Sequence, residues 1–148
     1  MCWLSDLLRV REKPKPKIEL LSMPSSEVLA DIQPLNLKMM FPALIDSAYY
    51  YTKAEDWAEV FDWTYFKFNM PSYLADRMDC DDFAVLLKGL IASFFRLNYF
   101  GVVFGNTPMG YHAWNLFRAD NGLVQFEPQT GKFFPIGEKG YKPEYILL

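Results

Sequence analysis

The sequence predicts an α+β domain, with helices in its amino-terminal part and the last of them packed on an antiparallel β-sheet. Three stretches carry this prediction. From Phe83 the apolar residues Phe83, Leu86, Leu87, Leu90, Ile91, Phe94 and Phe95 recur at i, i+3 and i+4, the spacing of a helix with a broad buried face. Residues 111–119, YHAWNLFRA, alternate as a half-buried strand does. The Asn121-Gly122 pair that follows is a hairpin signal, and LVQFEP at 123–128 supplies the returning strand.

Taken in order, residues 1–10 set Trp3, Leu4, Leu7 and Leu8 at helical spacing, and the alternating prolines of REKPKPK then force an extended connector over 11–17. Prolines 24, 34 and 42 punctuate the next stretch, which reads as short helical turns and extended chain. PALIDSAYYY, residues 42–51, reads as a helix. Thr52, with Glu55 three residues on, is the expected N-cap of a second helix over KAEDWAEVFDWTYFKF, whose Trp57, Val60, Phe61 and Thr64 share a core-facing side. Pro71 and Ser72 open a short helical turn. Asp79 caps the central helix, Asp81 and Asp82 suit its positive end, and Asn98 is the expected left-handed stop. YFGVVFG and KFFPI complete the strands around the hairpin. The tail from Gly137 reads as loop and apolar residues, with no placement that its pattern fixes.

With 148 residues and 51% hydrophobic content the chain can bury one sizeable core, so residues 18–148 are expected to form a single domain and residues 1–17 an extension. A net charge of −3 gives no basic footprint, which excludes nucleic acid as the expected partner. Cys2 and Cys80 lie far apart and build no disulfide framework, a usage that fits a reducing cytoplasm. No apolar run approaches the roughly 18 residues of a membrane span, and residues 1–10 are too short and interrupted for a signal peptide, so a soluble cytoplasmic protein is expected.

The chemistry centres on Cys80. At a helix N-terminus the dipole and free N–H groups favour thiolate, while the flanking aspartates oppose it, so a protonated imidazole is needed to hold the anion at neutral pH. The chain has one histidine, His112, on the second strand, and Glu127 ends the strand beside it. The hairpin register brings the two within a few positions of each other, giving a nucleophile, a proton carrier and an orienting carboxylate. Two distant cysteines and one histidine do not supply zinc spacing, and the aspartates are read as helix-start residues, Asp82 among them. No metal and no cofactor are expected.

The segments DCDDFAVLLKGLIASFF, GYHAWNLF and LVQFEPQTG together resemble the transglutaminase-like cysteine peptidases, a branch of the papain-like superfamily, and the acidic D-C-D-D motif is nearest its bacterial and phage members. The resemblance covers residues 70–135. It implies a papain-like fold with a Cys80 nucleophile, His112 as base and then acid, and Glu127 in place of the family's aspartate as the third member of a catalytic triad. Because glutamate is longer by one methylene, Gln129 and Asn115 are alternative orienting groups. Trp57, Trp63 and Tyr65 are candidate oxyanion donors beside the Cys80 N–H. Arylamine acetyltransferases share the chemistry but need an R-G-G-x-C signature absent here, and cell-wall peptidases need a D-C-S-G start.

The function expected from the sequence is therefore a thiol protease or amidase, a hydrolase of peptide or amide bonds acting through a Cys80 thioester. Its substrate would be a peptide or protein, with neither nucleic acid nor membrane as partner, and the amino-terminal extension could dock a further protein. The alternative is an inactive module of the same fold that binds a protein or glycan.

Overall fold

The computed structural model describes residues 13–41 and 43–148, and the side chain of Lys139 is not described. The expected helix over residues 1–10 and the cysteine Cys2 lie outside the described residues. Three α-helices are described: α1 (Ser25–Ile32), α2 (Ala54–Phe68) and α3 (Cys80–Phe95). Eight strands accompany them: β1 (Leu21–Pro24), β2 (Lys38–Met39), β3 (Ala48–Tyr51), β4 (Phe100–Thr107), β5 (Gly110–Ala119), β6 (Gly122–Glu127), β7 (Lys132–Phe134) and β8 (Lys142–Leu147). No helix among them is long and apolar enough to cross a membrane.

Six strands form the main sheet in the order β2-β8-β4-β5-β6-β7, antiparallel except for the short parallel pair β2–β8, while β1 and β3 pair separately. The core lies between α2, α3 and this sheet: Trp57 and Phe61 of α2 meet Leu87 and Ile91 of α3 and Phe100, Phe117 and Phe126 of the sheet. Trp57 is at its centre. Its ring stands 4.4 Å from Phe117 and 5.5 Å from Phe61, and its indole N–H donates to the Arg118 carbonyl at 2.8 Å.

Several local expectations differ from the structure. Residues 48–51 are a strand rather than the end of a helix, because they pair with β1, and Ile45, which a helix would bury, is 78% exposed. Thr52 is not the N-cap of α2, which begins after Lys53; its hydroxyl instead lies 2.6 Å from the Glu19 carbonyl and 2.9 Å from the Asp56 carboxylate. Residues 71–78 form no helical turn but a loop closed by a bridge between Leu74 and Met78. The left-handed stop of α3 falls at Arg96, with φ 60°, and Asn98 is used otherwise, accepting the Tyr50 N–H and donating to Asp46.

Two pieces that the pattern left unplaced are structural. The tail becomes β8 and enters the middle of the sheet between β2 and β4. From Lys13 to Glu19 the proline-punctuated connector is bound along the helices: Trp63 donates to the Lys13 carbonyl at 3.0 Å, Lys13 pairs with Asp62, and the Lys15 ammonium sits 5.0 Å from the Phe95 ring centroid. An extended, proline-restricted chain loses little entropy on docking, which suits it to this role.

Candidate functional site

Three elements converge on one cleft. The first is the start of α3, where Asp79 and Asp82 form a reciprocal capping box, each side chain taking up the other's backbone N–H. Cys80 follows as the first helical residue, half-buried and unpaired by any disulfide among the described residues. Burial pushes its thiol pKa up, the Ala113 N–H pulls it back, and the charges of Asp79 and Asp81 raise it again. A hydrogen bond to Asp79 likewise raises Asp81. Cys80, Asp79 and Asp81 each place a ligand-type atom within 4.8 Å of the others.

The second element is the β4–β5 hairpin, which carries His112 opposite Gly105. A Cβ at Gly105 would overlap the Lys142 carbonyl, so only glycine lets β8 pass here, at the bulge between Phe104 and Gly105. The third element is the end of β6. Its register with β5, Asn115 opposite Phe126, carries Glu127 to a position opposite Trp114, making it the diagonal neighbour of His112.

The result is a short bond between His112 Nε2 and Glu127 Oε2, at 2.7 Å. Glu127 is only 6% exposed, and two further donors reach it: the Tyr141 hydroxyl at 3.1 Å and the Gln129 N–H at 3.2 Å. With three donors converging on one carboxyl group, Glu127 acts as acceptor and His112 Nε2 carries the hydrogen. That fixes the tautomer and leaves Nδ1 as the proton-accepting nitrogen. The ring is held flat against Trp114, at 6.2 Å and 19°, with Tyr141 edge-on at 6.1 Å.

Cys80 and His112 open onto the same cleft of about 450 Å³, which Tyr73, Thr107, Tyr111 and Gln129 also line. Burial and the neighbouring aspartates that raise the thiol pKa favour the neutral thiol at Cys80.

Of the residues singled out from sequence, Cys80, His112, Glu127 and Gln129 are brought to this site. Trp57 and Trp63 are not. Both lie in the core and commit their indole N–H groups to the Arg118 and Lys13 carbonyls, so neither is an oxyanion donor. Asn115 is fully buried behind the site, donating to the Ala84 and Gly101 carbonyls and tying α3 to the sheet. Tyr65 donates to the Pro128 carbonyl at 2.5 Å, bracing the turn after Glu127. Asp82 serves the cap. Sequence reading missed Tyr141, the second side-chain donor to Glu127, because it lies in the tail whose pairing no local pattern specifies; burial and the Glu127 charge push its pKa up to about 12.

The family described as the ricin-type β-trefoil lectin C-terminal domain matches residues 20–148, and the chain belongs to that family. Solved structures agree on the fold. One, titled PSL1a-E64 complex, has a TM-score of 0.70 at 24% identity, covering 86% of this chain and 50% of that one. Another, the Polyporus squamosus lectin bound to the human-type influenza-binding epitope Neu5Aca2-6Galb1-4GlcNAc, has a TM-score of 0.68 at 23% identity over the same shares. The chain thus spans about half the length of the solved chains it matches. No curated protein matches it.

These matches correct the family expectation. The chain is a lectin C-terminal domain, not a transglutaminase-like cysteine peptidase, and the papain-like architecture inferred from the motifs gives way to that of the matched half of these chains. The expected peptidase or amidase function, with its hydrolase description and its bacterial or phage attribution, falls with that assignment, and the glycan-binding alternative fits the family better. The physical reason is economy of signal: a cysteine at a helix start, a strand histidine and a neighbouring glutamate describe a local constellation, which unrelated folds can carry.

Proposed function

We propose that this domain is the C-terminal module of a carbohydrate-recognising protein and that its cleft binds a glycan-bearing partner. The observation that carries this reading is the pair of exposed tyrosines at the cleft, Tyr73 at 61% and Tyr111 at 59%, beside the polar groups of Thr107 and Gln129. An aromatic face matches the C–H face of a sugar ring, and hydroxyl and amide groups satisfy its hydroxyls. Membership of the lectin C-terminal domain family supports the same reading, as does the sialylated epitope on the Polyporus squamosus lectin. The domain would comprise residues 18–148, with residues 1–17 as its extension.

Titrating the labelled chain with Neu5Aca2-6Galb1-4GlcNAc tests this by NMR. Shifts are expected at Tyr73, 107–112 and Gln129, and Tyr111→Ala should weaken binding about tenfold, the loss of roughly 1.4 kcal/mol of stacking. Saturating ligand without shifts at these residues would overturn it.

A second reading of the same cleft rests on the 2.7 Å bond between His112 and Glu127 beside a free cysteine. Here Cys80 is a reactive thiol, His112 accepts its proton through Nδ1, and Glu127 orients the ring. The E64 named for PSL1a makes that compound one suitable probe; iodoacetamide is another. With iodoacetamide, the Cys80 S–H proton passes to Nδ1 as the S–C bond forms and iodide leaves. Intact-mass kinetics at pH 7 should show Cys80 labelled at least about tenfold faster in the wild type than in His112→Ala, the low end of the gain expected from a positioned base. Equal rates would remove the reading.

A further inference from the structure

The start of α3 rests on the sheet through small apolar side chains. Ala84 packs with Val102 of β4 and Ala113 of β5, all three buried, and Cys80 lies at the edge of the same cluster. Such contacts hold the helix close to the sheet, but they are non-directional and do not fix its position along it. A buried amide supplies the missing direction.

Asn115 stands two positions beyond Ala113 on β5, on the same face of the strand, and is fully buried. Its Nδ2 donates to the Ala84 carbonyl at 3.0 Å and to the Gly101 carbonyl at 3.1 Å, so one planar group pins α3, β4 and β5 together. Ala84 comes one helical turn after Cys80, and Asn115 comes three residues after His112. The pin therefore sits close behind both. The Ala113 N–H, which reaches the Cys80 sulfur, ties the same strand to the same turn. Across the sheet Asn115 is paired with Phe126, the residue before Glu127. A further bond from α3 to the sheet, from Lys88 to the Phe100 carbonyl at 2.8 Å, lies a turn farther on and acts through a flexible four-carbon stem.

We propose that Asn115 is a positioning residue for Cys80 and His112: its amide fixes where the start of α3 meets β5, and so where the sulfur stands against Nδ1. The proposal rests on the reading of Cys80 as a reactive thiol. Placement matters because the proton passes only within hydrogen-bond reach, and a shift of about 1 Å can cost a reaction about a hundredfold.

Asn115→Leu tests this, since it keeps the side-chain volume and removes both donors. It also removes Oδ1, which meets no donor among the described residues, so the fold should persist. Asn115→Ala is the second variant, and urea midpoints report the stability of each. Iodoacetamide labelling is followed at Cys80 itself by peptide mapping. At pH 7 Asn115→Leu should slow it at least about fivefold, yet add nothing in a His112→Ala background, because both changes act on one proton transfer. The slowing should fade as the pH rises into the range where the thiol ionises unaided. A side chain that merely packs gives the opposite sign, since a loosened fold exposes the thiol and speeds labelling. Unchanged or faster labelling in both Asn115 variants, or an equal further slowing in the His112→Ala background, would overturn the proposal. Equal rates in the wild type and His112→Ala would instead remove the reading on which it rests.

Discussion

Trp57→Ala is expected to lower unfolding stability by about 4 kcal/mol, seen as a large drop in the urea midpoint at nearly constant slope. The indole is 1% exposed and touches three aromatic rings, from α2, β4 and β5, so its removal opens a cavity at the junction of all three. It also strands the Arg118 carbonyl, which accepts the indole N–H at 2.8 Å. Domains of this size hold about 5–15 kcal/mol in total, so this one change consumes much of the margin. Trp57→Phe should cost about 1–2 kcal/mol, since the ring contacts persist in part and the hydrogen bond is lost. Equal losses for the two variants would mean that the cavity is not what the protein feels at this position.

Trp57 also shows what kind of information the chain carries openly. Its core role was legible because α2 and α3 repeat apolar residues at helical spacing over four turns, and the Asn121-Gly122 turn fixes the β5–β6 hairpin locally. Cys80, His112 and Glu127 could be grouped for the same reason, each lying on or beside a strongly patterned element. The residues around them could not. Tyr141 reaches Glu127 from the segment leading into β8, a strand whose position between β2 and β4 depends on pairing across the whole fold. The tyrosine run is ambiguous in a different way: Tyr49, Tyr50 and Tyr51 fit a helix stripe or a strand equally well, and pairing with β1 decides it. Trp63 was drawn toward the cleft by its chemistry, yet its N–H satisfies the carbonyl of Lys13, fifty positions away. Family membership was the least legible of all, because the motifs that suggested another family occupy the site and its hairpin, whereas the matching family extends over residues 20–148.

Glu127→Ala should produce the second large effect, a loss of about 3 kcal/mol together with slower labelling of Cys80. The carboxylate is buried and holds His112, Tyr141 and the Gln129 N–H at once, so its removal leaves several donors unsatisfied inside the protein. Stability alone cannot separate a structural carboxylate from an orienting one, but Glu127→Gln can. The amide keeps the shape and one acceptor oxygen, so the fold should persist within about 1–2 kcal/mol, while its NH2 group meets either the Gln129 N–H or both His112 and Tyr141, which share one oxygen of the carboxylate. Turned toward His112, it costs the ring the partner that fixes its tautomer, and Nδ1 no longer presents a lone pair to the thiol. Tyr141→Phe supplies the control, since it removes one donor to Glu127 and leaves the His112 bond in place. The sign with pH follows from the raised Cys80 thiol: unassisted labelling climbs with pH until the medium is alkaline enough to ionise it, so assistance by His112 is greatest near neutrality. Glu127→Gln should therefore slow labelling at about pH 7 and approach the wild type as the pH rises into the range where the thiol ionises unaided, with Tyr141→Phe close to the wild type throughout. A uniform slowing at every pH would assign Glu127 to the framework of the cleft and leave the thiol to act alone.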